Sequence, residues 1–457
     1  MTIRNDGGMI LRSLAFRVVR ASTRAAGHPI GRALALLDRS RTWSRAELDA
    51  YRDAAFRKLV EHCWLNVPYY HDLMTARGLT PDAFRTVQDV ARLPYLTKED
   101  VRREGRRLRS RLHPDRECLI RRSGGTTAEP IGVVLDRNTR AIETMIHLRG
   151  LGWMGYRMGA PTVQLVGGSL GLSKSRTLRT RFREWLLNDR FLPAFGLTPD
   201  NVDAYADAIR RSTGGVLIGY ASAIATLAEH LARRGMSVPG LAAVISTADQ
   251  MQDEWKAVIQ TTLAAPIFGY YGCGEMNAIA YQHRSASGFV IAEEHVIVEA
   301  AAGDPDQFNI EGEGDCCLTS LTNYAMPLLR YLNGDRLTLG RVDDGIPHRR
   351  ILRLDGRAIE YLTTADGHRI SGVMSTHMIL KSGAPVWKWQ IVQGSPTHLE
   401  FHYLPLEGAT LDAATRDRLE QIMKRYLGPE ISVAFIEGGF DVSPSGKHML
   451  VVNRTRR

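Results

Sequence analysis

Strand-like and helix-like patterns alternate from about residue 160, and this alternation limits the fold more than any other feature of the chain. The runs PTVQLVGG, VLIG, LAAVIST and PIFGYYG are short and apolar, as is typical of buried strands. Between them, apolar residues recur at helical spacing, as at Ile224, Leu227, Ala228 and Leu231. Repeated strand–helix–strand units form a largely parallel sheet with helices on its faces, so the sequence predicts an α/β fold.

A second pattern follows Gly356. The runs VWKWQIV and HLEFHYL alternate like half-exposed strands, residues 411–427 have helical spacing, and ISVAFI and HMLVV resemble two further strands. This is typical of a small α+β domain. We therefore predict a large domain over residues 1–355, whose first 115 residues are helical, and a small domain over residues 356–457.

Composition indicates a folded protein of a reducing compartment. Of 457 residues, 44% are hydrophobic and 24% are charged, close to the globular average. The five cysteines contain no Cys-x-x-Cys, which argues against a disulfide framework or a zinc ribbon. No apolar run reaches 18 residues, and arginines interrupt the N-terminal apolar segment, so neither a membrane span nor a signal peptide is predicted. We expect a cytoplasmic protein.

The net charge of +10 raises the question of anionic partners. No zinc finger, RNA-binding aromatic strand or helix-turn-helix signature accompanies the arginines, so nucleic-acid binding is not expected. Residues 9–24 could form a basic amphipathic helix that lies on a membrane, but a helix packed on its own domain is the preferred interpretation.

The segment CLIRRSGGTTAEPIGVVL carries the most specific chemical signal. Two strand-like runs flank a loop of small and hydroxyl residues: Ser123, Gly124, Gly125, Thr126 and Thr127. Small residues let backbone N–H groups approach an anion, and hydroxyls add donors, so this loop could hold phosphates. It is not a Walker A loop, because a strand rather than a helix follows it. Taken alone, such a loop between two strands is more often an ordinary hairpin turn.

The loop resembles the SSGTTGxP phosphate loop of the adenylate-forming superfamily, which includes acyl-coenzyme A synthetases, luciferases and adenylation domains. Four other segments resemble motifs of that superfamily, in its order: Tyr271–Glu275 (YGxTE), Asn333–Asp335 (GD), Gly356–Glu360 (GRxxD hinge) and Ser445–Lys447 (catalytic lysine). The wording is most similar to the phenylacetate-coenzyme A ligase-like branch, especially members associated with capsular and exopolysaccharide biosynthesis. The phrases that carry this likeness are Asn66–Tyr70, Leu93–Lys98, Ile218–Ser222, Ile245–Asp249 and Met326–Tyr331.

This resemblance implies an ATP-dependent ligase that forms an acyl adenylate and passes the acyl group to coenzyme A. It implies that the Ser123–Thr127 loop binds the ATP phosphates, that Glu275 binds Mg²⁺ and that Lys447 is catalytic. The implied adenine and ribose contacts are Ser246, Thr247, Ala248, Asp249, Tyr271, Gly272, Asp335 and Arg357. Tyr220 would lie at the substrate pocket, and Glu360 would belong to the hinge of a mobile C-terminal lid.

Departures from the motifs leave alternatives open. Ala128-Glu129 replaces the usual Gly-Lys or Gly-Thr, and so places an acid beside the phosphates. Adenylation with transfer to a sugar, an amine or a carrier protein is a second possibility, and a non-catalytic module that retains the fold is a third. Glu293, Glu294, His295 and Glu299 would alternate between the faces of a strand, which argues against a metal cluster. Cys273, Cys316 and Cys317 are interpreted as packing residues.

Overall fold

In this computed structural model, an eleven-stranded sheet forms the centre of the protein. The structure describes residues 27–122, 131–166, 188–194, 201–247, 253–302, 304–356, 361–364, 369–371, 381–406, 409–441 and 450–455, with a few single residues between these ranges. Among the described residues, no helix is both long enough and apolar enough to span a membrane.

One half of the large sheet is parallel. Its strands, in chain order, are β3 (Thr162–Val166), β4 (Asp189–Pro193), β5 (Val216–Tyr220), β6 (Ala243–Thr247) and β7 (Ile267–Tyr271). They lie side by side in the order β7-β6-β5-β3-β4. The residues of β3, β5 and β6 are almost all buried, which is why these strands appear in the sequence as largely apolar runs, whereas those of β4, at the edge of the sheet, are half-buried or exposed. The predicted parallel sheet is thus confirmed for this half.

The other half of the large sheet is antiparallel. Its strands are β8 (Ala280–His283), β9 (Ala286–Ile291), β10 (Val296–Ala301), β11 (Gly312–Ser320), β12 (Tyr331–Gly340) and β13 (Arg350–Gly356). They continue the sheet in the order β10-β11-β12-β13-β9-β8, and β8 joins β7 of the parallel half. A separate hairpin, β1 (Leu119–Arg122) with β2 (Gly132–Leu135), confirms the two strands predicted on either side of the Ser123–Thr127 loop.

Helices surround the large sheet. They are α1 (Pro29–Ser40), α2 (Arg45–Asn66), α3 (Pro68–Ala76), α4 (Lys98–Glu104), α5 (Arg137–Trp153), α6 (Val202–Arg210), α7 (Ala221–Arg233) and α8 (Asp253–Leu263). Short 3₁₀ turns occur at Pro81–Ala83, Val87–Arg92, Gly105–Leu108 and Asp115–Glu117. In α7 the apolar face predicted from the sequence, Ile224 to Leu231, is buried against the parallel strands. Helix α5 begins after Asp136, whose carboxylate accepts a hydrogen bond of 2.8 Å from the Thr139 N–H.

A smaller sheet holds the C-terminal part of the chain. Strands β16 (Val386–Ser395), β17 (His398–Pro405), β18 (Ser432–Glu437) and β19 (Val451–Asn453) lie in the order β18-β17-β16-β19. A two-stranded ladder, β14 (Tyr361–Thr363) with β15 (Arg369–Ser371), and helix α9 (Ala413–Leu427) complete this part. The helix begins two residues later than the sequence pattern suggests, because the Asp412 carboxylate accepts from the Thr415 N–H and caps it.

Buried ion pairs tie the N-terminal helices to the sheet. Glu293 is 2% exposed and contacts the guanidinium groups of Arg45, Arg52 and Arg349 at 2.5, 3.1 and 2.9 Å. Glu294 is fully buried and pairs with Arg149 at 2.6 Å. The expectation that Glu293, Glu294 and His295 alternate on a strand is wrong: they form the turn before β10, and only Glu299 lies on the strand. Arginines, rather than a shared ion, compensate these carboxylates.

Arg330 is a second buried link between distant parts of the chain. It is fully buried with φ of 51°, and its guanidinium donates to the carbonyl oxygens of Ala91 and Leu93 at 3.2 and 2.9 Å. The same group donates to the Glu299 carboxylate at 3.0 Å. Next to it, a parallel bridge pairs Leu96 with Tyr331, so the phrases Leu93–Lys98 and Met326–Tyr331 lie together in the fold.

Candidate active site

The carboxyl ends of the parallel strands bring three of the predicted site residues to one edge of the sheet. Tyr220 ends β5, Thr247 ends β6 and Tyr271 ends β7. Tyr220 pairs directly with Thr247 in the ladder. In open parallel sheets, ligands bind outside the carboxyl ends of the strands, so this edge is where a substrate is expected. Ser246 lies one residue inside the edge, 6% exposed, and its hydroxyl donates to the Phe268 carbonyl at 3.3 Å.

A hydrogen-bonded triad joins Tyr271 to β12. The Tyr271 hydroxyl donates to Oδ2 of Asp335 at 2.7 Å, and the side-chain amide of Asn333 donates to the Tyr271 hydroxyl at 2.6 Å. The Asn333 amide also donates to Oδ2 of Asp335 at 3.0 Å. The side-chain oxygen of Asn333 accepts a hydrogen bond of 3.0 Å from the Asp335 backbone N–H. These contacts fix one carboxylate oxygen of Asp335, while the residue as a whole stays half-buried.

Burial controls the protonation of Tyr271. Its ring is 6% exposed and packs in the core beside Cys316. Burial, together with the nearby Cys316 and Asp335, raises the pKa of the Tyr271 hydroxyl well above its usual range. The hydroxyl therefore remains a donor at any physiological pH, and the Asp335 carboxylate keeps its partner.

Glu275 lies in the loop after β7 and contacts two residues that were not predicted as site residues. It is 4% exposed, and its Oε1 accepts a hydrogen bond of 2.9 Å from the Tyr331 hydroxyl. The Lys98 ammonium lies 3.6 Å from the same oxygen. Tyr331, Asn333 and Asp335 occupy alternate positions of β12, the spacing that places side chains on one face of a strand. This strand therefore links the Glu275 loop to the Tyr271–Asp335 contact.

The chemistry of Glu275 fits a magnesium ion that is shared with a nucleotide. Among the described residues, no group of three or more His, Cys, Asp or Glu side chains could form a cage for a metal. Mg²⁺ is commonly held by one or two carboxylates and by substrate phosphates, with waters completing its shell. A single buried carboxylate such as that of Glu275 is a donor set of that type.

The residues around Gly272 allow the Glu275 loop to close tightly. A Cβ atom on Gly272 would lie 2.8 Å from the side-chain oxygen of Asn277, which is closer than real Cβ atoms approach. The Cys273 N–H donates to the Met276 carbonyl at 2.9 Å across the same loop. A side chain at position 272 would therefore force the Asn277 side chain to shift within the loop that presents Glu275.

The predicted packing role of the cysteines agrees with their surroundings. Cys316 and Cys317 are fully buried and are not joined in a disulfide. Burial raises the pKa of both thiols well above the usual range, so they stay protonated and unreactive.

Several predicted site residues lie outside the described residues. They are Ser123, Gly124, Gly125, Thr126, Thr127, Ala248, Asp249, Arg357, Glu360 and Lys447. The basic segment over residues 9–24 and the pair Ala128-Glu129 fall almost entirely outside them as well. Their roles stay predictions.

Three residues of the site escaped the sequence prediction: Lys98, Tyr331 and Asn333. Each belongs to a phrase that was quoted for the resemblance, but no phrase carries chemistry that assigns a role to it. The signal that could have found them is the pairing of two such phrases, because the bridge between Leu96 and Tyr331 brings Lys98 to Glu275.

Comparison with known sequences found curated relatives with one shared name. The chain is 25% identical over 334 residues to a phenylacetate-coenzyme A ligase of Thermus thermophilus. The aligned region covers 70% of this chain and 73% of the relative. It is 26% identical over 336 residues to the phenylacetate-coenzyme A ligase of Escherichia coli, with 71% and 75% covered. No protein-family model matches the chain.

Solved structures share the fold over nearly the whole chain. The structure of 2-hydroxyisobutyryl-CoA ligase with 2-HIB-AMP and CoA in the thioesterification state matches with a TM-score of 0.62 and 18% identity, covering 90% of this chain and 91% of the other. The postadenylation state of that ligase matches with a TM-score of 0.59 and 17% identity, covering 90% of both chains. The fold and the sequence relatives identify an adenylate-forming enzyme of the acid–thiol ligase class. Within that class, the chain is a homologue of the phenylacetate-coenzyme A ligases.

Proposed function

We propose that this enzyme activates a carboxylic acid with ATP, releases pyrophosphate and transfers the acyl group of the resulting adenylate to the thiol of coenzyme A. The observation that carries the proposal is the 2.7 Å hydrogen bond between Tyr271 and Asp335. It joins two motif residues from distant parts of the chain at the sheet edge where a ligand is expected. The relatives named phenylacetate-coenzyme A ligase support coenzyme A as the acceptor.

In the first half-reaction, an oxygen of the substrate carboxylate attacks the α-phosphorus of ATP, and the bond to the pyrophosphate oxygen breaks. Asp335, held by Tyr271 and Asn333, accepts hydrogen bonds from the ribose hydroxyls and so fixes the nucleotide. Ser123 to Thr127 hold the outgoing phosphates. Lys447 neutralises the charge that builds between the carboxylate and the α-phosphate, because such charge needs a cation in a closed site.

Glu275 would hold Mg²⁺, which supplies neutralisation of the phosphate charge when it is bound. The hydrogen bond from Tyr331 keeps one oxygen of the Glu275 carboxylate in place. The Lys98 ammonium, 3.6 Å away, adds a positive charge beside the carboxylate. These contacts orient the carboxylate before a nucleotide arrives.

In the second half-reaction, the thiol sulfur of coenzyme A attacks the acyl carbon, and AMP leaves with the electron pair. We propose that residues 356–457 form a lid that carries Lys447 and turns about Arg357 and Glu360 between the two steps. The large domain, residues 1–355, supplies the nucleotide contacts, and Tyr220 at the end of β5 faces the acyl group. The proposal includes a cytoplasmic location, because the reaction consumes ATP and coenzyme A.

A pyrophosphate-release assay with ATP and Mg²⁺ tests the proposed chemistry. The purified protein is tested against a panel of aryl, fatty, hydroxy and amino acids, with an acid-free reaction as the blank. Release that depends on one class of acid is the expected result. Absence of release and of ATP–pyrophosphate exchange with every acid would instead favour a non-catalytic module.

A single-turnover experiment then tests the acceptor. A preformed acyl adenylate is mixed with enzyme and coenzyme A, and the thioester is measured by mass spectrometry. Rapid thioester formation is expected. If adenylate forms but coenzyme A does not consume it, the acceptor is a sugar, an amine or a carrier protein. The association with capsular or exopolysaccharide biosynthesis stays a prediction from the sequence.

A further inference from the structure

One buried carboxylate on α5, that of Glu143, contacts two of the motif-bearing segments at once. Glu143 is 5% exposed although its helix is largely apolar on this face. Both terminal guanidinium nitrogens of Arg121 donate to its two oxygens, one of them at 3.1 Å. Its Oε1 also accepts a hydrogen bond of 3.2 Å from the backbone N–H of Asn277.

Both partners of Glu143 lie next to predicted site residues in the sequence. Arg121 lies in β1, two residues before Ser123 begins the predicted phosphate loop. Asn277 lies two residues after Glu275, the predicted magnesium ligand. A carboxylate on a third element, α5, thus contacts the Arg121 side chain just before one motif and the Asn277 backbone N–H just after the other.

The Asn277 end of this link is rigid. The backbone carbonyl of Asn277 lies 3.1 Å from the Nε2 atom of the buried His295, and the Nδ1 atom of His295 lies 2.6 Å from the Thr322 hydroxyl. The side-chain oxygen of Asn277 accepts from the Ala278 N–H at 3.1 Å and fills the space beside Gly272. The loop between Gly272 and Asn277 is therefore fixed at both ends, and Glu275 lies between them.

Packing alone does not explain an acid at this position. A buried carboxylate loses its hydration, and it is tolerated only when it is paired and hydrogen-bonded. An apolar side chain of similar volume would fill the space at no such cost. The carboxylate instead makes directed contacts to a side chain of β1 and to a backbone N–H of the Glu275 loop, which an apolar residue cannot make.

We propose that Glu143 is a positioning residue that holds the Glu275 loop against β1, the strand that leads into the predicted phosphate loop, and so supports the binding of Mg²⁺-ATP. The inference rests on the proposed function, because it takes the roles of that loop and of Glu275 from it. In this proposal Glu143 acts through its contacts to Arg121 and Asn277.

The test is the variant Glu143→Gln, which keeps the shape and one acceptor but removes the charge. Equilibrium binding of ATP is measured by calorimetry with and without Mg²⁺, and pyrophosphate release is measured as ATP, Mg²⁺ and acid are each varied. We expect Mg²⁺-dependent ATP binding to weaken about tenfold, as for loss of a charge-assisted contact, with a matching rise in the Mg²⁺ needed for half-maximal rate. The KM for the acid should change less than about twofold.

Two further variants separate positioning from stability. Glu294→Gln removes another buried, arginine-paired carboxylate that lies outside the motif segments, and it should lower the melting temperature without a change in the Mg²⁺ dependence. Arg121→Gln should reproduce the Glu143→Gln shift, and the double variant should add little to either, because both remove one interaction. Arg121 is partly exposed, so its variant remains informative if Glu143→Gln does not fold.

The outcomes distinguish this inference from the proposed function. If the wild type neither binds ATP nor releases pyrophosphate with any acid, the proposed function fails. If the wild type is active and the folded Glu143→Gln and Arg121→Gln variants bind Mg²⁺-ATP with wild-type affinity, the positioning role of Glu143 is overturned and the proposed function stands.

Discussion

The Tyr271 hydroxyl reaches the Asp335 carboxylate across 2.7 Å although the two residues are 64 positions apart. Their strands are not neighbours, since β8, β9 and β13 lie between β7 and β12 in the sheet order. The contact therefore requires the large sheet to curl, so that its parallel and antiparallel halves approach each other. The proposed nucleotide site lies where the two halves meet.

Loss of the Tyr271 hydroxyl should weaken the binding of ATP through its ribose. In Tyr271→Phe, Asp335 keeps Asn333 but loses the second donor to Oδ2. We expect the apparent KM for ATP to rise roughly tenfold, the cost of one hydrogen bond to a charged group. The preference for ATP over 2′,3′-dideoxy-ATP should fall in parallel, which pyrophosphate release measures. Tyr205→Phe is the matched control, because it loses a 2.8 Å hydrogen bond to the Pro193 carbonyl at another place. Equal behaviour of both variants would reject the ribose role of Asp335.

Glu293 should make the free energy of unfolding depend on pH. Burial alone would raise its pKa, but Arg52, Arg45 and Arg349 lower the pKa of Glu293 from 4.5 to about 2. A carboxylate with a depressed folded-state pKa contributes stability that is complete above the unfolded pKa and is lost as the pH falls through the folded pKa. The contribution should therefore be complete above pH 4.5 and decline toward pH 2.

The variant Glu293→Gln isolates this contribution. It leaves the buried guanidinium groups of Arg52 and Arg349 and the partly buried one of Arg45 without this carboxylate, so we expect a loss of about 3–5 kcal/mol at pH 7. Urea unfolding of wild type and variant across pH measures the difference, which should shrink below pH 4.5. Glu313→Gln, which removes an exposed partner of Arg336, should change stability by less than about 1 kcal/mol. A difference between wild type and Glu293→Gln that is independent of pH would contradict the assignment.

Two glycines near the end of α5 should respond in opposite ways to alanine. A Cβ atom on Gly150 would lie 2.2 Å from the ring of the fully buried Tyr281, whereas a Cβ atom on Gly152 meets nothing within 4 Å. Gly150→Ala should therefore destabilise the protein by roughly 1–3 kcal/mol through overpacking. Gly152→Ala should be neutral or stabilising by up to about 1 kcal/mol, because alanine favours a helix. Thermal unfolding compares the two, and equal melting temperatures would show that α5 does not pack on Tyr281.

Lys447→Ala should separate the two half-reactions. The lysine is proposed to act on the charge that forms during adenylation, where a well-placed cation contributes a hundredfold or more, which is on the order of 3 kcal/mol. We expect carboxylate-dependent pyrophosphate release to be abolished, while thioester formation from a synthetic acyl adenylate is largely retained. Lys381→Ala, in another part of the C-terminal region, is the control. Adenylation by Lys447→Ala at the wild-type rate would make the proposed mechanism wrong.

The parallel half of the sheet was predictable because a strand that is buried on both faces has a continuous run of apolar residues in its sequence. Val216 to Ile218 and Ala243 to Ile245 are apolar throughout, and the helix between these strands has one apolar face. The antiparallel half was not resolved from the sequence. Its strands carry buried polar residues such as Asn333, whose partner Tyr271 lies 62 positions away in the chain.

The same reason limits the prediction of the site. Motif order identified Tyr271, Glu275 and Asp335 as candidates, because each lies in a recognisable sequence motif. It gave no geometry, and it missed Lys98 and Glu143, which act through contacts to other segments. A residue whose role depends on a partner more than a hundred positions away has no local pattern to reveal it.

Arg330 has a consequence for how the chain is made. Its guanidinium caps the carbonyl oxygens of Ala91 and Leu93, and 239 residues separate Arg330 from Ala91. At about 5–20 residues per second, a ribosome needs roughly 12–48 s to supply that arginine after Ala91 has been joined. During that interval the segment that contains Ala91 and Leu93 lacks the residue that anchors it, so it remains incompletely packed until Arg330 has been synthesised.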